Sequence, residues 1–294
     1  MKKQHSLKRR LLLLSGVAAI MCTSCIFIPP KEEVETVKTE VGKDENGKDV
    51  LKKDGLTLVW QDEFKYTGVP DTSKWKYQTG HGNPYGWGNN EQQNYIDNTT
   101  VAKTAIVNGE YLTIKAYKEG NEWKSARLNS IQSWKYGYIE ARMKITDRAG
   151  AWPAFWMMPQ DSVYGPWPKS GEIDIMENAP ATAGLHKLFS SLHAEGHNSA
   201  NPESIGSKKF DNKLSSEWHT VGIRWTENKI ACYYDDVLVG EYINNGTGYK
   251  DWPYDQKFYI ILNLAIGGNL GGDDYVGNLN GQAEFLIDYV RVYQ

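Results

Sequence analysis

The chain has 294 residues, 40% hydrophobic and 23% charged, which is enough to build a sizeable core and excludes both a disulfide mini-scaffold and a wholly disordered polymer. Its formal charge is −3, but five of the 33 basic residues and no acid lie within residues 1–24; the remainder carries 28 basic against 36 acidic groups, which argues against nucleic acid as a partner. Eleven Trp and 18 Tyr point to a sheet-rich fold, a stacking surface for flat ligands, or both.

Lys2, Lys3, Lys8, Arg9 and Arg10 precede the apolar stretch Leu11-Leu-Leu-Leu14 and Val17-Ala-Ala-Ile20, which is short for a bilayer span and suits the core of a secretory signal. Met21-Cys-Thr-Ser-Cys25 resembles a bacterial lipoprotein box, with the small Ser24 before a lipidated Cys25; Cys22 departs from the usual Leu. Residues 1–24 are therefore expected to be a lipoprotein signal peptide, and the protein to be lipid-anchored in the bacterial cell envelope, at an outer membrane and surface-exposed. Cleavage there leaves Cys232 as the only other thiol, so no intrachain disulfide is expected. Its apolar, aromatic strand context marks it as a buried structural thiol.

Residues 25–55 read as a flexible tether. Lys31 to Asp49 mixes charges with Gly and offers almost no large apolar residue, so it cannot offset the entropy of ordering itself. The competing reading is an extra edge strand from Glu32 to Val41. From Leu56 the texture changes, and residues 56–294 read as one domain, expected to be monomeric.

That domain has period-two alternation throughout. Gly109 to Ala116 sets Leu112, Ile114 and Ala116 against Tyr111, Thr113 and Lys115; Tyr136 to Ile145 sets Ile139, Ala141, Met143 and Ile145 against Glu140, Arg142 and Lys144. Similar runs span 218–225, 229–234, 257–264 and 284–293. With Gly-, Asn- and Asp-rich connections and no long amphipathic helix, the pattern predicts two antiparallel sheets packed as a sandwich, an all-β fold.

Chemistry concentrates at Gly171-Glu-Ile-Asp-Ile-Met-Glu-Asn178. On a strand, Glu172 and Asp174 share one face, while Ile173 and Ile175 enter the core. Met176 breaks the alternation, and a β-bulge near Ile175-Met176 returns Glu177 to the face of the other two acids. Glu172 and Glu177 are then about 13 Å apart along the strand. Leaning inward by about 4 Å each, their carboxyls come within roughly 5–6 Å, the spacing of a double-displacement glycosidase. Asp174 between them can hydrogen-bond one glutamate and couple to both. Taken alone, the cluster also fits a Ca²⁺ site or a solvated surface. Nearby, Ala149 to Met158 carries Trp152 and Trp156, Gly86 to Glu91 carries Asn90, and Ser125-Ala-Arg-Leu128 carries Arg127. Such aromatic, amide and cationic groups are those of a sugar platform.

Together these pieces resemble glycoside hydrolase family 16, in its bacterial laminarinase and mixed-linkage glucanase group. The matching motifs are Gly86-Trp-Gly-Asn-Asn-Glu91, Ser125-Ala-Arg127, Trp152-Pro-Ala-Phe-Trp-Met157, Gly171-Glu-Ile-Asp-Ile-Met-Glu177, Trp218-His219, Ile261 to Asn269 and Asp288-Tyr-Val-Arg-Val-Tyr293. They fall in family order across residues 56–294. The resemblance implies a β-jelly-roll sandwich with a concave cleft, retaining hydrolysis of internal β-glucosidic bonds, and no cofactor for catalysis. It implies Glu172 as nucleophile, Glu177 as general acid/base and Asp174 as their assistant. Asn90, Glu91, Arg127, Trp152 and Trp156 match the glycone half of the cleft, and His193 the leaving-group side. It further implies a structural Ca²⁺ held by Asp288, the Gly109 carbonyl and the backbone near Glu63. Leu270 stands where many relatives have Trp, which bears on subsite preference. The expected substrate is a neutral β-glucan, mixed-linkage β-1,3/1,4-glucan, β-1,3-glucan or both; the alternatives are a strict laminarinase, a β-glucan transglycosylase and a non-catalytic surface glycan-binding protein.

Overall fold

A computed structural model describes residues 34–97, 103–198 and 201–294. The expected signal peptide, Cys25 and the first part of the tether lie outside the described residues.

Two sheets form the sandwich. One has seven strands, running in spatial order Glu203–Lys209, Lys187–His193, Glu172–Glu177, Ala151–Pro159, Phe258–Ile266, Arg127–Trp134 and Trp75–Tyr77. The other has thirteen, among them Leu112–Glu119, Gly137–Lys144, His219–Trp225, Lys229–Tyr234 and Gln282–Tyr293. All pairings are antiparallel except that of Gln93–Tyr95 with Glu122–Ser125, the one departure from the expected pattern among the described residues. The sequence alternation is realised side chain by side chain. Leu112, Ile114 and Ala116 are fully buried, as are Ile139, Ala141 and Met143 on the neighbouring sheet path. They meet Phe155, Ile173, Ile260 and Leu262 of the seven-stranded sheet in one core. The α-helical segments are single turns, Pro180–Ala183 and Gly268–Gly271.

The flexible tether expected for residues 25–55 is not what residues 34–55 form. Thr39–Lys43 and Asp49–Lys53 make a hairpin that extends the thirteen-stranded sheet through Leu56–Asp62. Upstream of it, Glu35 and Val37 bond to the turn around Asp236 at the start of the Val237–Ile243 strand. Val37 then packs with Tyr138, Ala231, Tyr233 and Tyr293 in a second, smaller core on the sheet's outer face. Glu140, on the polar side of its strand by alternation, is consequently 0% exposed and pairs with Lys53 Nζ at 2.6 Å; the same ammonium lies 2.5 Å from Asp236. Aromatic surface and a buried charge, both supplied by distant parts of the chain, provide the burial that the arm's own composition lacks.

Candidate active site

The acidic strand Glu172–Glu177 lies inside the seven-stranded sheet, between Ala151–Pro159 and Lys187–His193. Gly171, at φ 86°, feeds the chain into it; a Cβ there would come within 2.8 Å of Pro253, so the entry requires glycine. The expected bulge is present. Trp156 pairs with Asp174 and Phe155 with Met176, leaving Ile175 unmatched; on the other side Asp174 pairs with Ser191 and Glu177 with Phe189. Ile173, Ile175 and Met176 are fully buried, so the extra residue is absorbed on the core side and Glu177 is free to join Glu172 and Asp174.

Each glutamate has its own indole partner. Trp167 Nε1 donates to Glu172 Oε2 at 2.6 Å, and Trp152 Nε1 donates to Glu177 Oε1 at 2.8 Å. Asp174 sits between them, with His193 Nε2 2.9 Å from its Oδ2. Burial, and then the charge of Asp174, push the Glu172 carboxyl up to about 8. The same two causes, in the same order, raise Glu177 well above the carboxylate range. Glu172 also feels His193 and the Trp167 N–H, both of which favour its anion. Glu177 has matching influences in the Trp152 N–H and His193, so the two carboxyls titrate together, both held above the ordinary carboxylate range. Burial works against a charge on His193, but the hydrogen bond and charge of Asp174 outweigh it and raise the imidazole to about 9. Donor atoms of Glu172, Asp174 and His193 lie within 4.8 Å of one another, compact enough for a metal. The raised imidazole holds a proton in the free site, which a cation would have to displace.

The expected glycone residues form a neighbouring cluster. Arg127, 7% exposed, stacks its guanidinium 4.5 Å from the Trp87 ring centroid and 4.7 Å from that of Trp156. Trp156 Nε1 donates to Asn263 Oδ1, and Trp156 is the cross-strand partner of Asp174, which joins the two clusters. Asn90 is exposed and donates to Asn269 Oδ1 at 2.8 Å. Two expectations are corrected here. Glu91, read as a sugar contact, is 5% exposed and its carboxylate is taken by Gln93, Tyr95 and Asn89, so it supports the cluster from below. Trp152, read as a stacking platform, is buried with its N–H committed to Glu177. Trp167 was not anticipated from sequence, and its only signal is an aromatic residue a few positions before the acidic strand. Trp87 and Asn263 stood inside recognised motifs without being singled out.

The implied calcium does not fit the residues present. Asp288 has both carboxylate oxygens engaged, Oδ1 by Lys65 Nζ at 2.9 Å and Oδ2 by Arg142 at 2.6 Å. Burial raises the Asp288 carboxyl, yet these two hydrogen bonds hold it below the ordinary range. Lys65 Nζ also binds the Glu110 carbonyl at 2.7 Å, next to Gly109, and Glu63 is held by Arg291 at 2.7 and 2.9 Å. An ammonium thus stands among the oxygens that a Ca²⁺ shell of six to eight ligands would need. Thermal unfolding in millimolar CaCl₂ and in chelator is expected to give the same Tm within about 1 °C, whereas K65A is expected to become calcium-sensitive. A wild-type Tm that rises by several degrees with calcium would contradict this assignment.

A jelly-roll sandwich carrying two glutamates and an intervening aspartate, gathered by a bulge on one strand, defines a glycoside hydrolase. The sequence profile of the glycosyl hydrolases family 16 matches residues 88–290, and the chain belongs to that family. It is 36% identical over 249 residues to the β-glucanase of Rhodothermus marinus, spanning 81% of this chain and 85% of the relative. The crystal structure of a laminarinase from Flavobacterium sp. UMI-01 matches with a TM-score of 0.73 at 36% identity, covering 81% of this chain and all of that one. A mutant of SCLam, a non-specific endo-β-1,3(4)-glucanase crystallised with a β-glucan oligosaccharide, matches with a TM-score of 0.73 at 30% identity, covering 88% of this chain and 99% of that one.

Proposed function

We propose that the protein is a retaining endo-β-glucanase that cleaves internal bonds of β-1,3- and mixed β-1,3/1,4-glucans. The observation that carries the mechanism is the bulge at Ile175, which gathers two glutamates, both raised by burial, beside one aspartate. Glu172 attacks the anomeric carbon while the bond to the leaving oxygen breaks; Trp167 steadies Oε2 of the attacking carboxylate. Glu177 gives its proton to that oxygen. With Oε1 receiving the Trp152 N–H, Oε2 is the oxygen left to carry the proton. The resulting glycosyl ester is opened by water, which gives its proton back to Glu177, and two inversions yield net retention. Asp174 raises both glutamates in the free site, while His193, paired with Asp174, favours the anion of each.

The names of the relatives support both linkage types. Leu270, in the turn Gly268–Gly271, offers no aromatic face where a distal sugar would stack. A missing stacking contact is worth on the order of 1 kcal/mol, close to tenfold in affinity. Turnover of barley mixed-linkage glucan is therefore expected to equal or exceed that of laminarin when initial rates and product sizes are compared on the two polymers. Strict preference for laminarin would remove the mixed-linkage emphasis, and activity confined to a sulfated galactan would overturn the glucanase reading.

For location, the basic residues ending at Arg10, the apolar run and Ser24-Cys25 support lipidation at Cys25 and attachment to a membrane of the bacterial cell envelope. Cys25→Ala is expected to move the protein out of the membrane fraction or to block its maturation. An unchanged distribution, with no lipid mass on the wild-type chain, would refute the anchor.

A further inference from the structure

The bulge that makes the site also creates a problem inside the sandwich. Across it the two residues Ile175 and Met176 face one residue of the neighbouring strand, Ser190, so the regular ladder is interrupted at that point. The Ile175 carbonyl lies at this interruption among side chains that are fully buried, in a core otherwise made of groups such as Ile173, Met176, Ile223 and Ile230. An unpaired carbonyl there is unfavourable, and the strand would relieve it by moving the extra residue elsewhere. Any such movement changes the parity of Glu177 and turns it from the substrate face toward the core.

Ser190 resolves the conflict. Its Oγ donates to the Ile175 carbonyl at 2.6 Å. Having one proton and two lone pairs, the hydroxyl then accepts from Tyr234 OH at 2.6 Å and from the Cys232 thiol at 2.8 Å, so every hydrogen-bonding valence is used. Ser190, Cys232 and Tyr234 are all 0% exposed. Cys232 and Tyr234 belong to Lys229–Tyr234 in the opposite sheet, so this small polar group crosses the apolar core and ends on the back of the acidic strand. The proposed mechanism uses none of the three, although the Tyr234 hydroxyl lies close enough to Glu177 to feel the charge of its carboxylate.

We infer that Ser190, held by Tyr234 and Cys232, is a positioning residue that pins the β-bulge at Ile175 and thereby keeps Glu177 on the substrate face for leaving-group protonation. This rests on the acid/base reading of Glu177. A general loss of folded protein lowers every activity alike, whereas displacement of the acid is felt only where the leaving oxygen needs a proton.

The experiment compares kcat/KM of the full chain on laminarin and on the 2,4-dinitrophenyl glycoside of a β-1,3-linked glucose disaccharide, whose leaving group departs unprotonated. For Ser190→Ala the expected loss is about 10- to 100-fold on laminarin and less than about threefold on the aryl glycoside, since kcat/KM reports the first irreversible step. Tyr234→Phe, which removes one hydroxyl and keeps the ring, is expected to show the same split at smaller size and serves if Ser190→Ala does not fold. Equal losses on both substrates, or wild-type values on laminarin in both variants, overturn the proposal. Glu177→Ala is measured in parallel. If it shows no split, the acid/base reading itself fails; if it shows the split and the core variants do not, only the positioning role fails.

Discussion

Glu172→Gln is expected to leave the fold intact and to lower turnover of unactivated β-glucan by at least about 10⁴-fold, the scale on which an essential nucleophile acts. The amide keeps the shape and can still lie against Trp167, but it cannot form the glycosyl ester. Its thermal stability should match or slightly exceed that of the wild type, because a neutral side chain removes both the burial penalty and the repulsion from Asp174. The same two influences set the pH dependence. Glu172 must be ionised to attack, and its folded-state pKa is raised by burial first and by Asp174 second. Activity is therefore lost as pH falls through that raised value, and the acid limb of kcat/KM lies above the ordinary glutamate value of about 4.3. Glu177, also raised by burial and by Asp174, must be protonated to act as the acid, which places the alkaline limb above the ordinary glutamate value as well. Residual turnover within tenfold of the wild type, in a folded variant, would remove Glu172 from the mechanism.

The largest stability effect is expected far from the cleft, at Lys53. Its ammonium is 1% exposed between Glu140, which is 0% exposed, and Asp236, and it also lies 5.0 Å from the Tyr138 ring centroid. Lys53→Met leaves the Glu140 carboxylate buried and unpaired, apart from the Tyr293 hydroxyl at 3.2 Å. Breaking such a pair costs about 3–5 kcal/mol, which for a domain of this size lowers Tm by roughly 10 °C. Adding Glu140→Leu should restore most of the loss, since a buried ion pair exchanged for apolar groups is close to neutral. Removing residues 34–55 altogether should be at least as damaging. Thermal melts of the single variant, the double variant and the truncated chain decide the matter: a Lys53→Met protein that melts with the wild type would show that the Lys53–Glu140 pair carries no stability, and a truncated chain that does so would show the same of the arm.

Lys53 also marks where the sequence stopped being informative. Alternation in Gly137–Lys144 correctly sorted Ile139, Ala141 and Met143 into the core, because period two is a local property of one strand. It said nothing about what would cover Glu140 on the other face, since that depends on Lys53, 87 positions away. The arm from Val34 to Lys53 looked too polar to fold for the same reason. Its burial comes from surface that Tyr138, Tyr233 and Tyr293 present, and composition within a window cannot register it. The catalytic strand was legible to the residue. Three acids that must share a face, spaced Glu172, Asp174, Glu177, require one extra residue between the second and the third, and the register supplies it at Ile175. Trp167 and the inward turn of Trp152 were not legible, because the direction of an indole N–H is fixed by the loop or strand that carries it. Glu91 illustrates the opposite limit: a motif match places a residue near the cleft without saying which side of the cleft wall it occupies.

The most direct test of the account is the configuration of the first product. ¹H NMR during the opening minutes of mixed-linkage glucan hydrolysis, before mutarotation equilibrates the new reducing ends, distinguishes the two anomers. Double displacement through Glu172 predicts that the β-anomer appears first and the α-anomer only later; initial formation of the α-anomer would mean a single displacement by water and would contradict the roles given to Glu172 and Glu177.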